Sequence, residues 1–383
     1  MANETQWPAM VASISHMGNV RRRQIRGVRD GFFFKLLRKT RFQPVSTFVV
    51  AAVMALFVVA AGYAGDPIIV TIPPGASASQ IQLALDRLPD TGGEVVLSPG
   101  TYEIRQPIVL RRDHQMLRGT GTATLLKLAD KANCPVIVLG EAVNKPRRVV
   151  AHLRLSDLTI DGNRQHQQVE LWKTGGDGSE IRNNGVTVHG ASDVLVERVV
   201  CCRCRSGGLV TSRDVRRLAV RDFTAVDNEF DGLACYQTTE CSFTQLFLHD
   251  NRAAGISVDL GFAHNIVSDA ILADNSVGIF MRDSHANLFQ GIVIRRSRKY
   301  GVFMAQSVRD ASGGAQLYSG SECTGNSFVG LMVSGSGGAA FCVNNASCTN
   351  NLICGAQFIC NAKGGLVQDA PNLVTVYGVL GSE

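Results

Sequence analysis

GVTVH at 185–189, GLVTS at 208–212, GLACY at 232–236, GISVD at 255–259, GIFMR at 278–282 and GVFMA at 301–305 all open on a glycine. Successive glycines lie 23, 24, 23, 23 and 23 residues apart. Looser units, GLMVS from Gly330 and GAQFI from Gly355, follow at intervals of 29 and 25. Each unit holds a second apolar run, such as LAVRDFTAV (218–226) or NIVSDAILA (265–273), and then a polar turn, Asp227-Asn228, Asp250-Asn251 or Asp274-Asn275. Short runs rich in Val, Ile, Thr and Phe, with no helix-length segment between them, read as strands. A fixed period of this length is the mark of a solenoid. The expected fold is therefore all-β, a right-handed parallel β-helix with about 23 residues per coil. The recurring turn Asn predicts a stacked polar ladder whose amides satisfy buried backbone groups. At the N-terminal end, 79–88 (SQIQLALDRL) reads as a short helix capped by Ser77 or Ser79, ended by Pro89 and placed to cover the open first coil. Strands at 94–97, 108–110 and 124–128 begin the coils.

Charge is unevenly spread. The chain carries 38 Lys/Arg and 32 Asp/Glu, a formal net charge of +6. Nine of the basic residues (Arg21 to Arg41) and two of the acids (Glu4 and Asp30) fall within 1–64, which leaves 29 and 30 for 65–383, a net of about −1. The folded body thus lacks the excess positive charge that neutralises phosphates, and no nucleic-acid partner is expected. Residues 45–64 (VSTFVVAAVMALFVVAAGYA) carry no charge and no Pro, enough apolar chain to cross a bilayer. The expected order is a basic cytoplasmic leader (1–44), a signal peptide or transmembrane anchor (45–64) and a β-helix domain (65–383). Export to the periplasm or cell exterior follows, with anchoring in the inner membrane as one of the two outcomes. Eleven cysteines are present; Cys342, Cys348, Cys354 and Cys360 recur every six residues and Cys201, Cys202 and Cys204 cluster. Neither set has the paired spacing of a zinc site, so buried small apolar side chains are expected.

The runs at 79–104 (SQIQLALDRLPDTGGEVVLSPGTYEI), 117–128 (LRGTGTATLLKL) and 155–164 (LSDLTIDGNR) resemble the N-terminal half of pectate-lyase-superfamily β-helix proteins, most closely the bacterial mannuronan (alginate) C5-epimerases. The resemblance covers most of 68–310. It implies an exported protein that lays a sugar polymer along the outer face of parallel strands. The family's Asp-Pro-His motif falls here on Val210-Thr211-Ser212, its Asp on the following coil on Tyr236, and its Arg on Ala253.

Alternation along a strand supplies other candidates. Counting each repeat glycine as zero, positions one and three point inward and two and four outward. Column four reads His189, Ser212, Tyr236, Asp259, Arg282 and Ala305; column two ends in Phe280 and Phe303, an apolar floor for a sugar ring. Abstracting the C5 proton of a uronate needs its carboxylate neutralised, a task for Arg282, and a base, His189 or Tyr236. Tyr236 can protonate a leaving oxygen, with Asp259 orienting its neighbours. Arg164, Trp172, Lys173 and Asp177 form a loop able to drape over such a groove, the Trp by stacking on a sugar face. The expected partner is an acidic polysaccharide and the expected chemistry that of a lyase or epimerase. Two rivals stand beside it: a non-catalytic polysaccharide binder, and a glycoside hydrolase using Asp259 and Asp283. No metal site or cofactor is expected; calcium, which needs a tight Asp/Glu cluster, is the one ion left open.

Overall fold

The computed structural model describes residues 68–172, 181–305 and 322–381; the leader and the 45–64 segment lie outside the described residues. The described chain is a right-handed parallel β-helix of about 12 turns. One wall is a ten-stranded parallel sheet. Its strands run Ile108–Leu110, Ile137–Gly140, Val186–His189, Leu209–Ser212, Leu233–Tyr236, Ala254–Asp259, Val277–Met281, Val302–Met304, Phe341–Val343 and Leu366–Gln368. Every repeat unit from 185 to 305 contributes one of them. The longer second strands, among them Ala191–Cys202, Val215–Val226 and Ser242–His249, build the other, larger sheet.

Alternation sets the core. Val186, Val188, Leu209, Thr211, Leu233, Cys235, Ile256, Val258, Ile279 and Met281 all point inward and are fully buried. In-register pairing, Ser257 against Phe280 and Phe280 against Phe303, stacks each column one coil above the next, at a spacing of roughly 4.8 Å. Nine of the eleven cysteines are buried among these side chains.

The repeat glycines are required by space. A Cβ on Gly208 would stand 2.6 Å from the Gly232 carbonyl oxygen, and one on Gly278 2.5 Å from that of Gly301. Each glycine lets the next coil settle at sheet distance. Gly278→Ala, also crowding Ile294, is expected to destabilise by about 1–3 kcal/mol, read as a lower denaturant midpoint at an unchanged slope.

Gly330 and Gly355 are different. They have φ of +64° and +63°, and the strands after them, Met332–Ser334 and Gln357–Ile359, belong to the larger sheet. They occupy the corner held in earlier coils by Asp157, Arg198, Asp222, Gln245, Asp269 and Gly291, all left-handed. The ten-stranded wall continues instead at Phe341–Val343, which pairs with Val302–Met304.

The polar ladder forms at the predicted turns. Asn228 Nδ2 donates to Asn251 Oδ1 at 2.9 Å, and Asn251 Nδ2 to Asn275 Oδ1 at 3.0 Å. A second ladder, Asn265, Asn287, Asn326 and Asn351, runs along another corner with steps of 2.9–3.1 Å. The N-terminal helix spans Ala78–Arg87, with Ser77 and Gln80 forming a reciprocal cap and Ile81 and Leu85 fully buried.

Candidate active site on the ten-stranded wall

The outward row exists as a row. His189 pairs with Ser212 and Tyr236 with Asp259 in strand register. Arg282 follows Met281, the register partner of Val258, so it stands beside Asp259. Around Tyr236 the side chains converge. Asp259 is buried, with Oδ1 accepting from its neighbour's backbone N–H at 2.8 Å and Oδ2 lying 2.6 Å from Arg282 Nη2. The Arg282 guanidinium carbon sits 5.3 Å from the centre of the Phe280 ring. Its Nε is buried and has no hydrogen-bond partner among the described residues. Phe280 and Phe303 stack at 5.7 Å with planes 11° apart, a flat apolar floor next to the charges.

Two residues outside the repeat pattern complete the cluster. Asp231, immediately before the repeat glycine Gly232, is 6% exposed, and its Oδ1 accepts from the Ala254 backbone N–H at 2.8 Å. Burial pushes its carboxyl up to about 7, although that hydrogen bond and the charges of Arg182 and Arg282 pull the other way. Arg182 arrives from the opposite direction. Leu171 and Arg182 form an antiparallel bridge, the Trp172 N–H donates to the Ile181 carbonyl at 2.8 Å, and Arg182 pairs with Glu170. This small ladder holds the Arg182 guanidinium within electrostatic reach of Asp231 and Tyr236. Burial, then the charges of Asp231 and Asp259, raise the Tyr236 phenol above its usual range, so it stays protonated. Asp283 is also buried, its Oδ1 2.9 Å from His285 Nε2; burial and then the nearby Asp259 charge raise its carboxyl.

Tyr236, Asp259, Arg282, Phe280 and Phe303 therefore share one place. His189 lies two rungs away and is fully engaged. Its Nε2 is 2.8 Å from the Val143 carbonyl oxygen, and its Nδ1 is 2.7 Å from Ser212 Oγ. A carbonyl only accepts, so Nε2 carries the proton and Nδ1 accepts from the serine. Burial lowers this imidazole to about 4. Arg164 is buried and taken up by Asp227, at 2.8 Å, and Glu229. Trp172 packs against the core at the base of the short ladder, and Lys173 and Asp177 lie outside the described residues. Asp231 had one available signal: the other coils place Asn, Gly, Ala, Val or Tyr before the repeat glycine. Arg182 had none, because its segment stands outside the period.

A family model described as periplasmic copper-binding protein (NosD) matches residues 219–378. The mannuronan C5-epimerase AlgE4 of Azotobacter vinelandii is 26% identical over 194 residues, 47% of this chain and 33% of that protein. The chain thus spans about a third of that relative's length. Among solved structures, the A-module of the Azotobacter vinelandii mannuronan C5-epimerase AlgE6 superposes with a TM-score of 0.52 at 14% identity, covering 81% of this chain and 97% of that one. The Yersinia enterocolitica family 28 exopolygalacturonase does so with a TM-score of 0.59 at 12% identity, covering 83% and 76%. At these identities the structural likeness establishes the shared parallel β-helix. Among the described residues no group of three or more His, Cys, Asp or Glu side chains is placed to hold a metal ion.

Proposed function

We propose that this protein acts on an acidic polysaccharide by abstracting the C5 proton of a uronate residue bound across Tyr236, Asp259 and Arg282. The observation that carries the reading is Asp231: a buried carboxyl poised near neutrality, within electrostatic reach of a protonated phenol and two guanidinium groups. A general base works best when its pKa lies near the working pH. In this reading Arg282, with Arg182, pairs with the substrate carboxylate and spreads the charge that develops as the proton leaves. Asp231 takes the C5 proton. The electron pair then expels the O4 leaving group, protonated by Tyr236, which gives a lyase; reprotonation at C5 from the opposite side gives an epimerase. The sugar ring rests on Phe280 and Phe303. The polysaccharide-acting relatives support the substrate class. The charge-free 45–64 run and the periplasmic description of the matching family support export.

A hydrolase is the second reading, favoured by the raised carboxyl of Asp283 beside Asp259. Incubation with alginate and polygalacturonate separates the two. Ultraviolet absorbance from unsaturated ends marks a lyase, and a changed C5 configuration without chain cutting marks an epimerase. New reducing ends without that absorbance would replace the proposal by hydrolysis, and no turnover with retained binding would leave a binder. Arg282→Lys keeps the charge but loses the planar fork, and a drop of about tenfold in kcat/KM is expected, one charge-assisted hydrogen bond's worth. Undiminished turnover in this variant would remove the guanidinium from the site.

A further inference from the structure

The same wall carries a second feature nearer its N-terminal end. A cavity of about 710 Å³ opens beside Val109, lined by Arg111, Arg112, Lys145, Arg147 and Arg148 against a single acid, Glu141. That acid is already engaged, by the Arg147 backbone N–H at 2.6 Å and by Arg148 Nε at 3.9 Å. Arg111 and Arg112 lean back on Asp86 and Asp90 at 2.6 and 3.2 Å. The exposed guanidinium of Arg147 has no acidic partner among the described residues. Among the described lining residues basic side chains outnumber acidic ones, and the surface they line is concave.

Its position ties it to the row. Arg111 directly follows the wall strand Ile108–Leu110, and the cavity residue Val143 is the one that holds His189 Nε2. From the strand Ile137–Gly140 to Leu233–Tyr236 there are three steps of the wall, roughly 15 Å. Arg213 stands between, next to His189, and its Nη2 is buried with no hydrogen-bond partner among the described residues. Guanidinium groups thus recur at successive steps of the wall: Arg147 and Arg148 beside the Ile137–Gly140 strand, Arg213 next to His189, and Arg182 and Arg282 near Tyr236. A neutral glycan offers these groups only hydroxyl acceptors, whereas a chain bearing one carboxylate per sugar can pair with them repeatedly.

We propose that the Arg147–Arg148 cavity is a distal carboxylate subsite, so that the protein selects uronate chains long enough to reach from it to Tyr236 and discriminates against short oligomers. This rests on the reading of the wall as a polyuronate groove, and it adds a length requirement that the reaction centre alone does not impose.

The test compares trimers and octamers of galacturonate and of mannuronate with the full chain and its Arg147→Ala/Arg148→Ala variant. Both positions are exposed, so folding is not at stake. The wild type should favour the octamer, and the octamer-to-trimer ratio of kcat/KM should fall by about tenfold in the variant. An unchanged ratio overturns the subsite. In parallel, migration through gels containing polygalacturonate, alginate or neutral dextran reads binding without turnover. The wild type should be retarded by the two acidic polymers alone, less so with added salt, and the variant less than the wild type; equal retardation of the two proteins also overturns the subsite. A wild type that is retarded but inactive, with a weakened variant, sinks the proton-abstraction reading and keeps the subsite. An active wild type indifferent to length does the reverse.

Discussion

Asp231→Asn is expected to lower turnover of a polyuronate by about two to four orders of magnitude, the usual contribution of a positioned general base, while making the protein more stable above neutral pH. The two effects share one cause. The carboxyl is nearly enclosed and its folded pKa is raised from 3.8 to about 7. A raised pKa means that the folded state binds the proton more tightly than the unfolded chain does. Stability from this group is then fully present below about pH 4 and falls as pH climbs towards 7. The whole decline is on the order of 4 kcal/mol. Asparagine keeps an oxygen for the Ala254 N–H and never ionises, so the variant should skip the decline. Melting temperatures of the two proteins should coincide near pH 4 and diverge, in the variant's favour, up to pH 8. The wild-type kcat/KM should rise through pH 7 as Asp231 loses its proton. Full activity in Asp231→Asn would show that the base lies elsewhere on the wall.

The largest stability loss is expected for Asn251→Ala. The Asn251 side chain accepts from the Asn228 backbone N–H at 3.2 Å and from Asn228 Nδ2 at 2.9 Å; it donates to the Ala225 carbonyl at 3.1 Å and to Asn275 Oδ1 at 3.0 Å. Alanine removes all four bonds and leaves buried partners on both sides. Each orphaned group costs about 1–3 kcal/mol, so a total of at least about 3 kcal/mol is expected, some 6–10 °C in melting temperature for a domain of this size. Asn350, exposed at φ +57° on a turn near the C-terminal end of the second ladder, is a useful comparison, because its alanine variant should shift far less. A melt of Asn251→Ala within a degree or two of the wild type would mean that the ladder amides find other partners.

What the sequence made legible follows the period. The spacing of Gly185 through Gly301 placed six wall strands and their inward and outward columns, because each coil repeats one backbone path. It failed at Gly330 and Gly355, whose sequences look like wall units. There the glycine serves a left-handed corner, a conformational need that spacing does not distinguish from the steric need at Gly278. The row of Tyr236, Asp259 and Arg282 was readable for the same reason as the strands. Asp231 was missed because it sits a residue before the counted column, where only the odd acid among the coils marked it; Arg182 was not readable, since it comes from a segment with no counterpart in neighbouring coils. One of the two partners that engage His189, the Val143 carbonyl, is brought close by a loop 46 residues away in the chain.

The uniform rise of the coils turns the protein into a ruler. The Arg147 cavity and the Tyr236 rung are separated by three whole turns of chain, of 49, 23 and 24 residues, yet each adds the same step along the wall. Excising one complete turn between them would bring the two marks closer by a single fixed graduation, and inserting one would move them apart by the same amount.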